Sequence, residues 1–392
     1  MTIDLLILVE EKNMNLEKTR ILVYILAVIL YSNVAYSRSL SHNGFLTAGF
    51  SQTDNEISFI GVTDEMNFSD LSLIGIQTTF KPSEGPFQFV TQLLARGNQG
   101  WDVDAEWAYV GARLTDSFEF QVGKVRAPMF MISETLDVGI TYLWIRPPEE
   151  LYGFNNIPFT TINGLKFKYR NEGQYFDYDL LIYGGENPEE TVTSNGLEYL
   201  IVLKIAGIEA NFVRDNFKLR LSYHDAYDLF LDFAAELAAN PTLATLFAGY
   251  PNGIIESNST FSTLGLDYND GRFLLMAEVG QRKVRENSTN VNWFVTVGYQ
   301  FGRFLPHLTH SVINITEVET NGTINNEQQS TILGVKISVT PAIVVKAELS
   351  HTHVPDIPDD SLAAGLFDAL PVLVSFEDDK VNMVNLAINM VF

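Results

Sequence analysis

Basic residues at alternate positions are the first chemistry this chain offers. Lys166, Lys168 and Arg170 share one face of a segment whose other face carries Leu165, Phe167 and Tyr169. Lys218 and Arg220 lie opposite Phe217, Leu219 and Leu221. Arg272 and Arg282 share parity with Glu278 between them, and Lys336 alternates with Val335 and Ile337. A side-chain period of two belongs to a strand, so each set projects from one face of a sheet. Acidic counterparts gather in the stretch 127–160, where Glu134, Asp137, Glu149 and Glu150 surround Arg146. Fixed charges arranged in rings or ladders sort ions electrostatically and need no chemical step. Catalytic chemistry finds less support. His307 and His310 sit near Ser311, but their spacing specifies no nucleophile-base geometry. His307, His310, His351 and His353 are expected as solvated or rim residues, not metal ligands. No catalytic residue, metal or cofactor is expected.

The elements that must position these charges are amphipathic strands. Val384, Leu386, Ile388 and Met390 alternate with Asn385, Ala387 and Asn389 before the chain reaches Phe392. Phe176, Tyr178, Leu180 and Ile182 alternate with Asp177, Asp179 and Leu181, and Leu333, Val335, Ile337 and Val339 with Gly334, Lys336 and Ser338. Placing Asp179 or Lys336 against lipid at mid-bilayer costs about 2–4 kcal/mol for the basic residue and less for the acidic one, so these faces look into a wet interior. Lys124 and Arg126 share parity with Phe118 and Phe120, which aims them at lipid unless a bulge near Gly123 turns them or the strand leaves the membrane there.

The pattern gives about sixteen strands, near 43–52, 68–80, 85–97, 102–114, 117–126, 160–170, 174–184, 198–213, 216–226, 258–269, 271–283, 291–301, 303–316, 328–339, 341–353 and 380–392. Tight turns such as Thr115-Asp116-Ser117 and Asn269-Asp270-Gly271 alternate with long connections. Such parity is that of an all-β, up-and-down antiparallel barrel crossing an outer membrane, with short turns on one side and long loops on the other. At this strand number side chains alone do not fill the interior. The third long-side loop, 127–160, is rich in Met, Phe, Ile, Leu and Trp, so it is expected to fold into the lumen. Segment 227–250 has helical spacing at Leu229, Phe230, Phe233, Leu237, Leu243, Leu246 and Phe247, with a break at Pro241, and reads as a helical loop insert.

Composition agrees. Mean hydropathy of +0.07 is too polar for a bundle of membrane helices, and a net charge of −23 argues against nucleic acid as a partner. Cysteine is absent, so neither a disulfide nor a Cys-based zinc site can form. Lys18 and Arg20 precede the apolar run from Ile21 to Tyr31, which Ala35-Tyr36-Ser37 follows. About eleven residues do not span a bilayer as a helix, and the arrangement is that of a secretory signal peptide over 1–37. Asp4, Glu10 and Glu11 are unusual in such a leader, which makes Met14 the better start. The remainder, 38–392, is expected to be one barrel domain.

A last amphipathic strand closing on Phe392 resembles the assembly signal of Gram-negative outer-membrane proteins. The strand order and loop parity resemble the Gram-negative porins over nearly the whole mature chain. Pro148-Glu149-Glu150 with Gly153 is similar to the Pro-Glu and Gly residues of the porins' third loop, at a different spacing, and Gly123-Lys124-Val125-Arg126-Ala127-Pro128 to the passage from strand into that loop. The resemblance implies a water-filled channel, constricted by 127–160, for passive diffusion of ions and small hydrophilic solutes. It implies acidic loop residues (Glu134, Asp137, Glu149, Glu150) facing a basic wall. It also implies a homotrimer in outer-membrane lipid. A channel selective for an anionic solute is the alternative, followed by an outer-membrane enzyme or a surface adhesin.

Overall fold

A computed structural model describes residues 40–153, 160–187, 190–194, 197–246, 250–284, 288–318, 327–355, 365–368, 376 and 379–392. The expected signal segment 1–37 lies outside them. Strands in the described residues are β1 (Leu40–Thr53), β2 (Leu73–Phe80), β3 (Phe87–Arg96), β4 (Val103–Arg113), β5 (Phe118–Arg126), β6 (Thr161–Asn171), β7 (Asp177–Glu186), β8 (Glu190–Ser194) and β9 (Leu197–Arg214). They continue as β10 (Phe217–Asp232), β11 (Ile254–Asn269), β12 (Phe273–Val284), β13 (Ser288–Tyr299), β14 (Phe304–Val318), β15 (Gln328–Thr340), β16 (Ile343–His353) and β17 (Lys380–Val391). Each pairs antiparallel with its neighbour, and β1 pairs with β17, from Phe45 opposite Val391 to Thr53 opposite Met383. β7 pairs directly with β9, and β8 pairs only with β9 as a hairpin extension above the wall. The wall is therefore a closed barrel of sixteen strands, as the alternation requires.

Alternation decides which face is which. Along β17, Val381, Met383, Asn385, Ala387 and Asn389 are buried toward the interior, while Val384, Leu386 and Ile388 are exposed on the outside. Exposed Leu165, Phe167, Leu180, Ile182, Leu219, Leu221, Leu264, Val295, Leu333 and Leu349 continue that outer apolar belt around the barrel. A one-residue slip of register would exchange the two faces of a strand, so the pattern fixes the register. Short turns are locally encoded. Asp270 Oδ1 accepts the backbone N–H of Arg272 and Phe273 at 2.8 and 2.7 Å, and Gly271 sits at φ +86°, where L side chains are disfavoured.

Several expectations shift. The stretch 68–72 is loop, and β2 begins at Leu73. β10 runs on to Asp232 through an irregularity after Ala226, so Leu229 and Phe230 are strand residues and not the start of a helix. Only α2 (Ala234–Ala239) and α3 (Pro241–Leu246) are helical there, after α1 (Glu149–Tyr152) in the third loop, and Phe247 lies outside the described residues. Pro241 divides α2 from α3 because Pro has no N–H to continue a helix and starts one well.

Candidate functional site: a loop seated in the lumen

Residues 127–153 leave β5 and turn into the barrel. Met129, Phe130, Ile132, Leu143, Trp144 and Leu151 are buried in one apolar cluster with wall residues Ile162, Leu181, Tyr183, Ile205, Phe261, Met276 and Phe294. A loop with this composition would be unstable in water, and hydrophobic burial against the inner wall holds it. Gly123, near its start, has φ +130°, and a Cβ there would lie 2.3 Å from the Ala108 carbonyl oxygen. Only glycine fits.

Polar contacts pin the loop at both halves. In the first half, Arg220 donates to the Pro128 carbonyl at 2.5 Å, to Thr263 Oγ1 at 2.6 Å and to Glu209 Oε2 at 3.0 Å. The Met131 N–H donates to Glu278 Oε1 at 3.0 Å, and Tyr152 OH to Glu278 Oε2 at 2.6 Å. Lys166 Nζ meets Glu134 Oε1 at 2.5 Å. Asp137 is clamped by Arg96 at 2.8 Å and by Arg126, and both arginines also reach Glu106 at 3.2 Å.

The second half lies on β14–β16. Lys336 Nζ donates to the Ile140 and Tyr142 carbonyls at 2.6 and 3.2 Å. Lys346 Nζ donates to the Gly139 carbonyl at 2.6 Å and to the Trp144 carbonyl, and sits 4.5 Å from the centre of the Tyr142 ring. Glu348 Oε1 accepts the Ile145 N–H at 2.8 Å, and Trp144 Nε1 donates to Thr309 Oγ1 at 2.8 Å. Glu150 accepts from Ser311 Oγ at 2.6 Å, from Gln328 Nε2 at 2.7 Å and from Ser330. Arg146 pairs with Asp70 of the first loop and lies 4.0 Å from Glu149.

The expected constellation is thus partly assembled. Lys166 and Arg220 engage the loop region as basic wall residues, and Lys336 holds loop carbonyls instead of an acid. Lys168 pairs with Asp179 on the neighbouring strand at 3.4 Å. Arg170, Lys218 and Arg282 occupy inward positions of their strands, as the register of Arg170 with Asp179, Lys218 with Asp267 and Arg282 with Phe261 places them. Arg272 does not join the wall: it falls in the turn before β12, outside the strand that parity assigned it to. Glu134 and Asp137 do face basic groups, but Glu150 faces hydroxyls and an amide. No open gap separates these ion pairs, so the charges neutralise one another at those positions.

Sequence reading missed Lys346, Glu348, Arg96 and Glu106. Arg126, outward by strict parity, turns inward at the outer end of β5, where the strand leaves the wall, beside Asp137 and over the Trp107 ring at 5.7 Å. Lys346 and Glu348 alternate with Val345, Ala347 and Leu349, a signal as legible as that at Lys336. Phe392 lies where the last strand meets the first: its backbone exchanges hydrogen bonds with Gly44 at 2.7 and 2.9 Å, and its ring occupies the space a Cβ at Gly44 would take.

Histidines divide by parity. His307 is buried in the lumen 3.8 Å from Glu348, against the expectation of a solvated position. His310 faces outward toward the Trp293 ring, at 5.7 Å. Ser311 shares the inner face with His307 but lies four residues along the strand, roughly 13 Å away. The trio does not converge. Among the described residues, no group of three or more His, Asp or Glu side chains is placed to hold a metal.

Burial acts to raise the Asp137 carboxyl, but Arg126 and Arg96 outweigh it and hold the group below the ordinary aspartate range. Glu149 goes the other way. Burial pushes it up to about 7, with the nearby Glu150 and Asp368 adding to the rise and Arg146 opposing it.

A sixteen-strand barrel with an inward third loop defines a porin-type fold. No family model and no curated sequence matches the chain. Solved structures do. The anion-selective porin from Comamonas acidovorans is similar with a TM-score of 0.56 at 11% identity, over 90% of this chain and 99% of that one. OmpF of Salmonella typhi, in complex with daunomycin, gives 0.57 at 12% identity, over 90% and 97%. OmpT of Vibrio cholerae gives 0.55 at 11% identity, over the same shares. At these identities the likeness is one of fold.

Proposed function

We propose that this chain forms a channel of the bacterial outer membrane for passive diffusion of ions and small hydrophilic solutes, with loop 127–153 as its constriction. The observation that carries the reading is that loop: it crosses the interior of a wide barrel, bonded through Asp137 to Arg96 on β3 and through the Met131 N–H to Glu278 on β12, on the opposite side of the closed wall. Its mechanism has no chemical step. Solutes are sorted by the space left beside the loop and by the charges along it. Because the loop touches the wall on many sides, the conductance is expected to be small for a barrel of this strand number.

The test is single-channel current of the refolded protein in a planar bilayer under a salt gradient. Ohmic steps that grow several-fold on deletion of 130–152 support the reading. A folded barrel that stays silent, before and after the deletion, removes it and moves an enzyme or adhesin ahead. The sign of the reversal potential decides whether anions are favoured, a preference that the inward lysines of β6, β15 and β16 support. We also propose a homotrimer, since one structural neighbour is described as a trimer form of OmpT. Chemical cross-linking in detergent tests it. N-terminal analysis of the exported protein tests removal of 1–37.

A further inference from the structure

Lys336 on β15 and Lys346 on β16 are direct cross-strand partners, and both point into the lumen. Like charges directly opposite in a ladder are destabilising. Burying them adds a desolvation cost. Their hydrogen-bond partners are the four loop carbonyls at 139, 140, 142 and 144, which solvate the ammonium groups without neutralising them. Glu348 stands two residues along β16 and is occupied by the Ile145 N–H. The patch therefore keeps excess positive charge.

A cavity of about 680 Å³ opens beside it at the short-turn end of the barrel. Lys336 and Arg303 line it with Ser338, Thr340 and the backbone around Gly302 and Pro341, and no acidic residue lines it. In a chain with 48 acidic and 25 basic residues, such a lining is a local reversal of charge. An ammonium has three N–H donors, and Lys336 spends two on carbonyls, which leaves one for a ligand. The Arg303 guanidinium has no ion pair among the described residues and offers a planar fork suited to an oxyanion.

We propose that this cavity is a binding site for a small oxyanion, of the phosphate or carboxylate class, held by Lys336 and Arg303 with the hydroxyls of Ser338 and Thr340 beside it. The site refines the anion preference raised for the channel and would load it from the short-turn side. Its binding does not depend on conduction.

The experiment is calorimetric titration of inorganic phosphate into the refolded protein in octyl glucoside free of phospholipid, at constant ionic strength. Saturable binding is expected in the unaltered chain, weakened about ten-fold or more by Lys336→Gln and by Arg303→Gln. Arg214→Gln, at the end of β9 and outside the lining of this site, is the control and should bind as the unaltered chain does. Among the described residues no hydrogen bond or ion pair joins the Arg303 side chain to loop 127–153, so its variant separates lost binding from a displaced loop. Absence of saturable heat, or equal binding by all four proteins, overturns the site. Short-chain phosphatidylglycerol provides a second arm: if it binds through the same residues and phosphate does not compete, the patch holds a lipid headgroup and the solute reading fails. A conducting channel without phosphate binding sinks this inference alone. Phosphate binding to a silent barrel sinks the channel reading alone.

Discussion

Glu149 is the loop carboxylate whose charge is set by where the loop rests. Raised by burial to about 7 from the ordinary 4.5, it favours the seated loop while neutral. That contribution is complete below the ordinary value and is lost as pH rises through about 7. Asp137, held low by two arginines, acts oppositely: its contribution is present above the ordinary range and lost only in stronger acid. Of these two, Glu149 alone changes between pH 5 and pH 8, so open-channel current and its noise should rise across pH 7. Glu149→Gln should flatten that step, and an unchanged profile would remove Glu149 from the account. Arg220 is a residue whose loss is costly. Arg220→Met frees the Pro128 carbonyl and leaves Glu209 and Glu278 buried without their cation, a destabilisation of about 3–5 kcal/mol. Denaturant unfolding of the refolded barrel measures it.

Loop and wall meet closely enough for single atoms to matter. A Cβ at Gly139 would lie 2.3 Å from Asn389 Nδ2 on β17. Gly139→Val should therefore lift this part of the loop and raise conductance, though less than removal of 130–152. Conductance equal to that of the unaltered chain would mean that the pore does not run past this contact. The loop's fate was legible from its apolar content. Its partners were not, because Ile140, Tyr142 and Ile145 bind through backbone groups that carry no residue-specific signal. Arg126 departs from parity because strict alternation holds within a paired strand, and Arg126 stands at its end, where the chain turns in.

At the scale of the molecule, one inner face and one outer face organise every strand. Leu386→Arg, on the outer face of β17, should cost about 2–4 kcal/mol near the bilayer midplane, read as a shift in urea-induced unfolding from bilayers. A shift near zero would place this part of the strand outside the hydrocarbon. Closure draws on both ends of the described chain, since β1 completes the hydrogen bonding of β17 and removes the exposed edges. The hairpin of β8 with β9 shows the limit of counting strands by pattern: it is a strand by its hydrogen bonds, yet no part of the wall.

Sequence alone determined the barrel, its approximate strand number, the side of most wall residues and the inward loop. All four follow from a period-two pattern and from the cost of apolar surface in water or charge in lipid, which act locally along the chain. Tertiary structure decided the rest. Arg220 meets Glu209, Glu278 and a loop carbonyl from three separate segments. Lys336 and Lys346 become neighbours only through the register of β15 with β16. Those encounters depend on how the barrel brings distant positions to one height, and no spacing within a single strand records that.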